Sequence, residues 1–462
     1  MTAIHDQAMH YIYQQVLERL LAHMSQAQRA SLQLLIQRLL VAAGGPEYIG
    51  TFRLQVLQGS DRQGARLLAM LRAAQLSIAM RAPVTFQLRV LVVSLPVAGS
   101  PTLQGLDQGF SALFMQDDPR VQLQMIEGRE VVPFSCRPRV ASERWLPTRE
   151  ALLMFGHLID ARPEALLGSR LHLELAAAVS FALQAQAPAD AMVTALPAGQ
   201  RRRYLAWALR SQRLAGQRGP YLAHHCLSTL AEGLARLQGA TGLAPGNPAD
   251  QPAGTALKGG PVRLIAIDDL LPPLLGGQQL DAMLGWHFAA AETACSPLAA
   301  FVDPLALAQL QELRARSLEP QATRPPLRLA GAPGDSKPAD EPVLQFGKAY
   351  GLSQAQLECL LCKPFARQGK NLERFLRARH ADMLVALPYL HRAMQGKPCP
   401  AAVKAWLVNT SGLSLAQLRA VYGGKMPLPA WRLLSALARR DAHLRLLPRH
   451  AAERRHSPMR QP

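Results

Sequence analysis

Cysteine is scarce in this chain. Six cysteines are spread over 462 residues, at positions 136, 226, 295, 359, 362 and 399, without regular spacing. That fits a reducing compartment better than an oxidised disulfide framework. Long apolar runs are missing as well. The stretch LHLELAAAVSFALQAQ is broken by Glu174 and LRVLVVSLPVAG by Pro96, so neither reaches the roughly 20 clean residues that a bilayer span needs. The N-terminus carries His5 and Asp6 before an amphipathic helical pattern, where a secretory leader would place basic residues and an apolar core. A soluble, cytoplasmic protein of bacterial type is expected.

Two nucleotide-chemistry signatures are also absent. No G-x-x-x-x-G-K-[ST] occurs, because FGKAY at 346–350 lacks both the upstream glycine and the hydroxyl. Tyr11 and Tyr13 raise the thought of a strand-nicking tyrosine, but no His-hydrophobic-His metal pattern accompanies them. Packing of an amphipathic helix explains them more simply.

What the chain does have is positive charge in one place. The formal net charge is +19, and residues 351–462 hold 19 Lys and Arg against 5 Asp and Glu. That end therefore carries +14, while the first 350 residues, with 32 basic against 27 acidic, carry only +5. Arginine outnumbers lysine by 43 to 8. A compositional bias can exchange lysine for arginine, but it does not explain why the excess sits at one end.

Periodicity predicts a helix-rich α+β protein with a small N-terminal sheet. Residues 8–42 read as helix in two runs, stopped by Gly44, Gly45 and Pro46. A strand at 51–58, a helix at 61–80 and a strand at 84–95 form a βαβ-like unit, and 120–134 reads as a hairpin turning at Glu127 and Gly128. From 146 to 238 the pattern is helical throughout, with one more strand near 262–268. Loop-like composition marks 239–260, and 319–342 reads as a linker. The expected organisation is an α/β region at 1–145, a mainly helical region at 146–318, the linker, and a separate all-α basic domain at 343–462.

Within that last domain the chain writes one helix start twice, as GLSQAQL from Gly351 and GLSLAQL from Gly412. In each copy Ser353 or Ser414 can cap a helix, and Gln356 or Gln417 three positions on can complete a capping box. The second copy continues through Gly423 and Gly424 into PAWRLLSALARR, with Trp431, Leu434 and Leu437 on one side and Arg432, Ser435 and Arg439 on the other. The first continues into a helix bearing Lys370, Arg374, Arg377 and Arg379. A short helix, a turn and an amphipathic helix with outward arginine resembles a helix-turn-helix. The resemblance covers about 30 residues of the second copy. It implies contact with double-stranded DNA through Lys370, Arg374, Arg377, Arg379, Arg419, Lys425, Arg432, Arg439 and Arg440, whose charges would neutralise phosphates. The tail from Arg449 reads as a disordered basic arm.

The favoured expectation is a DNA-binding regulatory or accessory protein without catalysis or a cofactor of its own. One alternative is a metal-dependent enzyme on nucleotides or nucleic acid, with Asp268 and Asp269 holding magnesium at the end of VRLIAI; the same acids can simply cap a following helix. Another is a helical scaffold whose basic end binds an acidic protein. The Cys359 and Cys362 pair, with His380, His391 and Cys399, has poor spacing for zinc and reads as partly buried structural thiols. QGSDRQG after the first strand resembles a phosphate-cradling turn that a Ser or Asp cap also explains, and His224, His225 and Cys226 read as ordinary helix residues.

Overall fold

The computed structural model describes residues 3–59, 62–82, 84–94, 100–127, 130–137, 146–158, 189–195, 198–199, 201–202, 263–271, 283–284, 313, 347, 350–424, 431 and 435. The stretches expected as loop and linker at 239–260 and 319–342 lie outside them, as do His224, His225, Cys226 and the C-terminal arm.

Two helices, α1 (Ala3–Ala22) and α2 (Gln26–Ala43), precede the first strand. The break between them is chemically specified: Ser25 accepts from the backbone N of Gln28, whose side chain accepts in return from Ser25 N. Gly44 ends α2 with φ of 96°, a geometry that costs glycine little. A 3-10 turn, Pro46–Thr51, leads into the sheet.

The sheet is larger than the sequence suggested. Strands β1 (Arg53–Gln58), β2 (Gln87–Ser94), β3 (Val121–Glu127), β4 (Glu130–Pro133), β5 (Ala191–Thr194) and β6 (Arg263–Ala266) lie in the order β4-β3-β2-β1-β5-β6. All neighbours are parallel except β3 and β4, which form the expected hairpin with Glu127 opposite Glu130. Helices α3 (Arg62–Ala79) and α4 (Ser100–Ala112) connect β1 to β2 and β2 to β3. Strand β5 falls inside the stretch expected to be helical throughout. It is pinned beside β1 where Arg53 N donates to Asp190 Oδ2 at 2.8 Å, and Val56 of β1 sits between Val90 and Val193. Regions 1–145 and 146–318 therefore contribute to one sheet.

Helix α3 is buried on every side from Leu67 to Ile78, covered by the sheet, α1 and α2. It even buries an arginine. Arg72 is satisfied by the carbonyls of Leu113 and Phe114, by Gln75 and by Asp118 at 2.8 Å. Asp118 also receives Arg120, whose guanidinium lies 4.3 Å from the centre of the Tyr13 ring. Burial alone would raise the Asp118 carboxyl; hydrogen bonds from Arg120 and the Arg72 charge outweigh it and hold the group below its ordinary range.

A second body is formed by α5 (Leu146–Leu158), α6 (Gln354–Cys362), α7 (Leu372–Arg379), α8 (Leu387–Met394), α9 (Ala401–Ser411) and α10 (Leu415–Tyr422), with a short kinked turn Ala366–Gly369 before α7 and a 3-10 turn Ala381–Ala386 entering α8. Both repeated starts form the capping boxes expected of them, Ser353 with Gln356 and Ser414 with Gln417. Both also dock on α5. Arg149 Nη1 donates to the Gly351 carbonyl at 3.5 Å, and Gln417 Nε2 donates to Glu150 at 3.5 Å. Between them, Gly412 has no room for a side chain, since a Cβ there would lie 3.0 Å from Leu153 and 3.1 Å from Gln356. Helix α5, expected to belong to the middle of the chain, thus packs on the C-terminal helices.

Candidate nucleic-acid interface

The nine cations singled out from sequence fall into three groups. Lys370, Arg374, Arg377 and Arg419 are exposed. Lys425, Arg432, Arg439 and Arg440 lie outside the described residues, although Trp431 and Ser435 of the same segment are helical. Arg379 turns inward: its Nε is 3.2 Å from Glu358 Oε2, and its side chain is 4% exposed. The reason is helical spacing. Leu372, Phe375 and Leu376 are the buried face of α7, and position 379 continues that face one turn on. Among the outward pair, Arg377 is partly answered by Glu373 at i,i+4.

The hairpin arrangement is looser than the resemblance implied. Helix α6 finds its main partners in α9 and α5, and α7 in the Ala381–Ala386 turn. An ion pair between Arg379 and Glu358 joins α6 to α7. The connecting turn carries three consecutive left-handed residues, Arg367, Gln368 and Gly369. Gly369 is essential there, because a Cβ would come within 2.8 Å of the His391 ring and 3.2 Å of Tyr422.

That close approach brings Lys370 to the flank of α8, where His391 Nδ1 lies 3.0 Å from the Tyr422 hydroxyl. At the other end of α8, Arg419 Nε donates to the Ala393 carbonyl at 3.3 Å, satisfying one of the helix's terminal acceptors. Exposed Arg392 and Lys397 lie beside it. Sequence reasoning overlooked both, together with Tyr389, whose ring centre is 5.9 Å from the Arg392 guanidinium. The available signal was a Tyr and an Arg three apart in PYLHR, one face of a helix turn.

Compensating charge is thin. Residues 350–424 hold ten Lys and Arg against Glu358, Glu373 and Asp382, and the first two of these acids already face Arg379 and Arg377. Among the described residues no carboxylate lies within ion-pair distance of Lys370, Arg374, Arg392, Lys397 or Arg419.

The other chemical candidates are structurally accounted for. Asp269 accepts both Arg38 nitrogens, at 2.9 and 2.8 Å, and this holds its carboxyl below the ordinary range. Asp268 pairs with Arg201 and accepts the Ala198 N–H at 3.2 Å. Both carboxylates at the end of β6 therefore serve guanidinium groups, which are poor company for a divalent cation. Near the turn after β1, Gln63 Nε2 donates to the Ala195 carbonyl at 2.7 Å and ties the start of α3 to β5; Ser60 and Asp61 lie outside the described residues.

His157 and Cys359 meet inside the helical body, Nε2 to Sγ 3.7 Å, with Nδ1 donating to the Leu153 carbonyl at 2.8 Å. Burial lowers His157 to about 4 and pushes the Cys359 thiol well up. A neutral imidazole beside a neutral, enclosed thiol packs the core; it is no activated nucleophile. Cys362 is half-buried, and no group of three or more His, Cys, Asp and Glu suited to a metal occurs among the described residues. Nor is any described helix long and apolar enough to cross a membrane. No family model, curated protein or solved structure matches this chain.

Proposed function

We propose that the chain binds nucleic acid as a regulatory or accessory factor, gripping the phosphate backbone with the cations of its C-terminal helical body. The observation that carries this reading is the uncompensated charge: Lys370, Arg374, Arg392, Lys397 and Arg419 stand on described surface that offers them no carboxylate. Lysine and arginine held this way release condensed counterions when they meet phosphates, and that term dominates sequence-independent affinity. Exposed guanidinium and ammonium groups need no further machinery for this.

The test is charge reversal in the full chain. The whole protein is needed because α5 packs against both repeated helix starts, so a fragment beginning at residue 343 would lose that support. Lys370→Glu with Arg374→Glu should weaken binding and reduce the salt slope by about two phosphate contacts. Arg432→Glu with Arg439→Glu should act in the same direction. Unchanged affinity and slope in both double variants, with circular dichroism showing them folded, would overturn the proposal.

A further inference from the structure

The cations around α8 border exposed apolar surface. Val385 is 86% exposed and Tyr389 is 44% exposed. Tyr389 and Arg392, three apart on α8, share one face, and Val385 is exposed in the Ala381–Ala386 turn that enters the helix. The Arg392 guanidinium leans toward the Tyr389 ring. Arg419 reaches the end of α8 at Ala393 and Gly396, next to Lys397, whereas the Gly369 contact with His391 puts Lys370 on the other side of the helix from Tyr389. The result is an aromatic ring open to solvent, with positive charge beside it and at the end of its helix. A second exposed aromatic, Trp431, is 47% exposed in the same basic half of the chain.

A duplex has little use for such a ring, because its bases are stacked on one another and reach the surface only as groove edges. A single strand offers π faces, and an exposed aromatic beside cations is the usual platform for them. Helix α7, which carries Arg374 and Arg377 outward, is also a poor groove reader. Helix α7 has eight residues, about 12 Å, and buries Leu372, Phe375 and Leu376, with Arg379 turned inward as well.

We propose that the α8 face takes single-stranded nucleic acid, with one base stacked on Tyr389 and the flanking phosphates on Arg392, Lys397 and Arg419. This rests on the reading given under Proposed function and names its substrate class.

The experiment measures full-chain affinity by fluorescence anisotropy for labelled oligo(dT) and for its duplex with oligo(dA), at low salt. The single strand should bind more tightly. Tyr389→Ala should lose about tenfold in affinity for the single strand, in the range of one base stack, while duplex affinity stays unchanged. Tyr389→Phe keeps the π face and should restore the wild-type value. Equal or tighter duplex binding, or a Tyr389→Ala loss that is the same for both forms, overturns the single-strand assignment and leaves nucleic-acid binding standing. Binding of neither form at low salt overturns both.

Discussion

Arg379 and Glu358 form a nearly enclosed ion pair, Nε to Oε2 3.2 Å, with side chains 4% and 11% exposed. The pair joins α6 to α7, so this arginine holds the fold and is not available to a phosphate. Arg379→Ala removes the guanidinium facing a buried carboxylate and should cost about 3 kcal/mol, read as a lower urea midpoint. The salt slope of nucleic-acid binding should not move. Arg374→Ala should do the reverse, and a slope loss at Arg379→Ala equal to that at Arg374→Ala would contradict the assignment.

The network of Arg72, Asp118 and Arg120 predicts a second stability effect. Arg72 contacts two carbonyls, Gln75 and Asp118 from a fully buried position, so Arg72→Met should destabilise the sheet body by about 3 kcal/mol in urea unfolding. Asp118 has its carboxyl held below the ordinary value, so its contribution is present above the unfolded pKa near 3.8 and is lost as pH falls through the folded one. Asp118→Asn should therefore flatten the acid limb below about pH 4. An unaltered acid limb would show that the pair contributes nothing there.

His157 predicts a pH dependence at milder acidity. Burial lowers its pKa to about 4 from 6.5, so the unfolded chain binds the proton more readily. Stability should be complete above about pH 6.5 and decline toward pH 4, where this group causes no further loss. The shift corresponds to about 3 kcal/mol. His157→Leu should remove most of the slope between those limits, measured as unfolding midpoint against pH. A wild-type midpoint constant from pH 7 to pH 4 would contradict the neutral, buried imidazole.

Gly109, near the end of α4, has nothing within 4 Å of where a Cβ would stand, and its backbone is not left-handed. Gly109→Ala should therefore stabilise the protein by roughly 0.5–1 kcal/mol through helix propensity. A lower melting temperature would mean that the space beside α4 is occupied.

Legibility in the sequence followed the physics of each element. The capping boxes at Ser353 and Ser414 were readable because a cap is a local bargain between a hydroxyl and an amide three residues away. The run from β1 to β4 was readable because apolar alternation and turn residues bracket each strand. Strand β5 was not, since AMVT is four residues long and owes its conformation to β1 and β6 on either side. The placement of α5 against Gly351, Gly412 and Gln417 depends on contacts across some 200 residues of chain, which no local pattern records. The exposure of Lys370, Arg374, Arg377 and Arg419 was readable because exposed charge is the default for such residues. Arg379 was misplaced by counting charge without following the apolar face of Leu372, Phe375 and Leu376 to its next position.

The most direct measurement of the central claim is the salt dependence of full-chain binding to nucleic acid. With Lys370, Arg374, Arg392, Lys397 and Arg419 on phosphates, the logarithm of the association constant should fall linearly with the logarithm of salt concentration, with a slope of about −3.5 for a single strand. No detectable binding at low salt, or an affinity indifferent to salt, would contradict it.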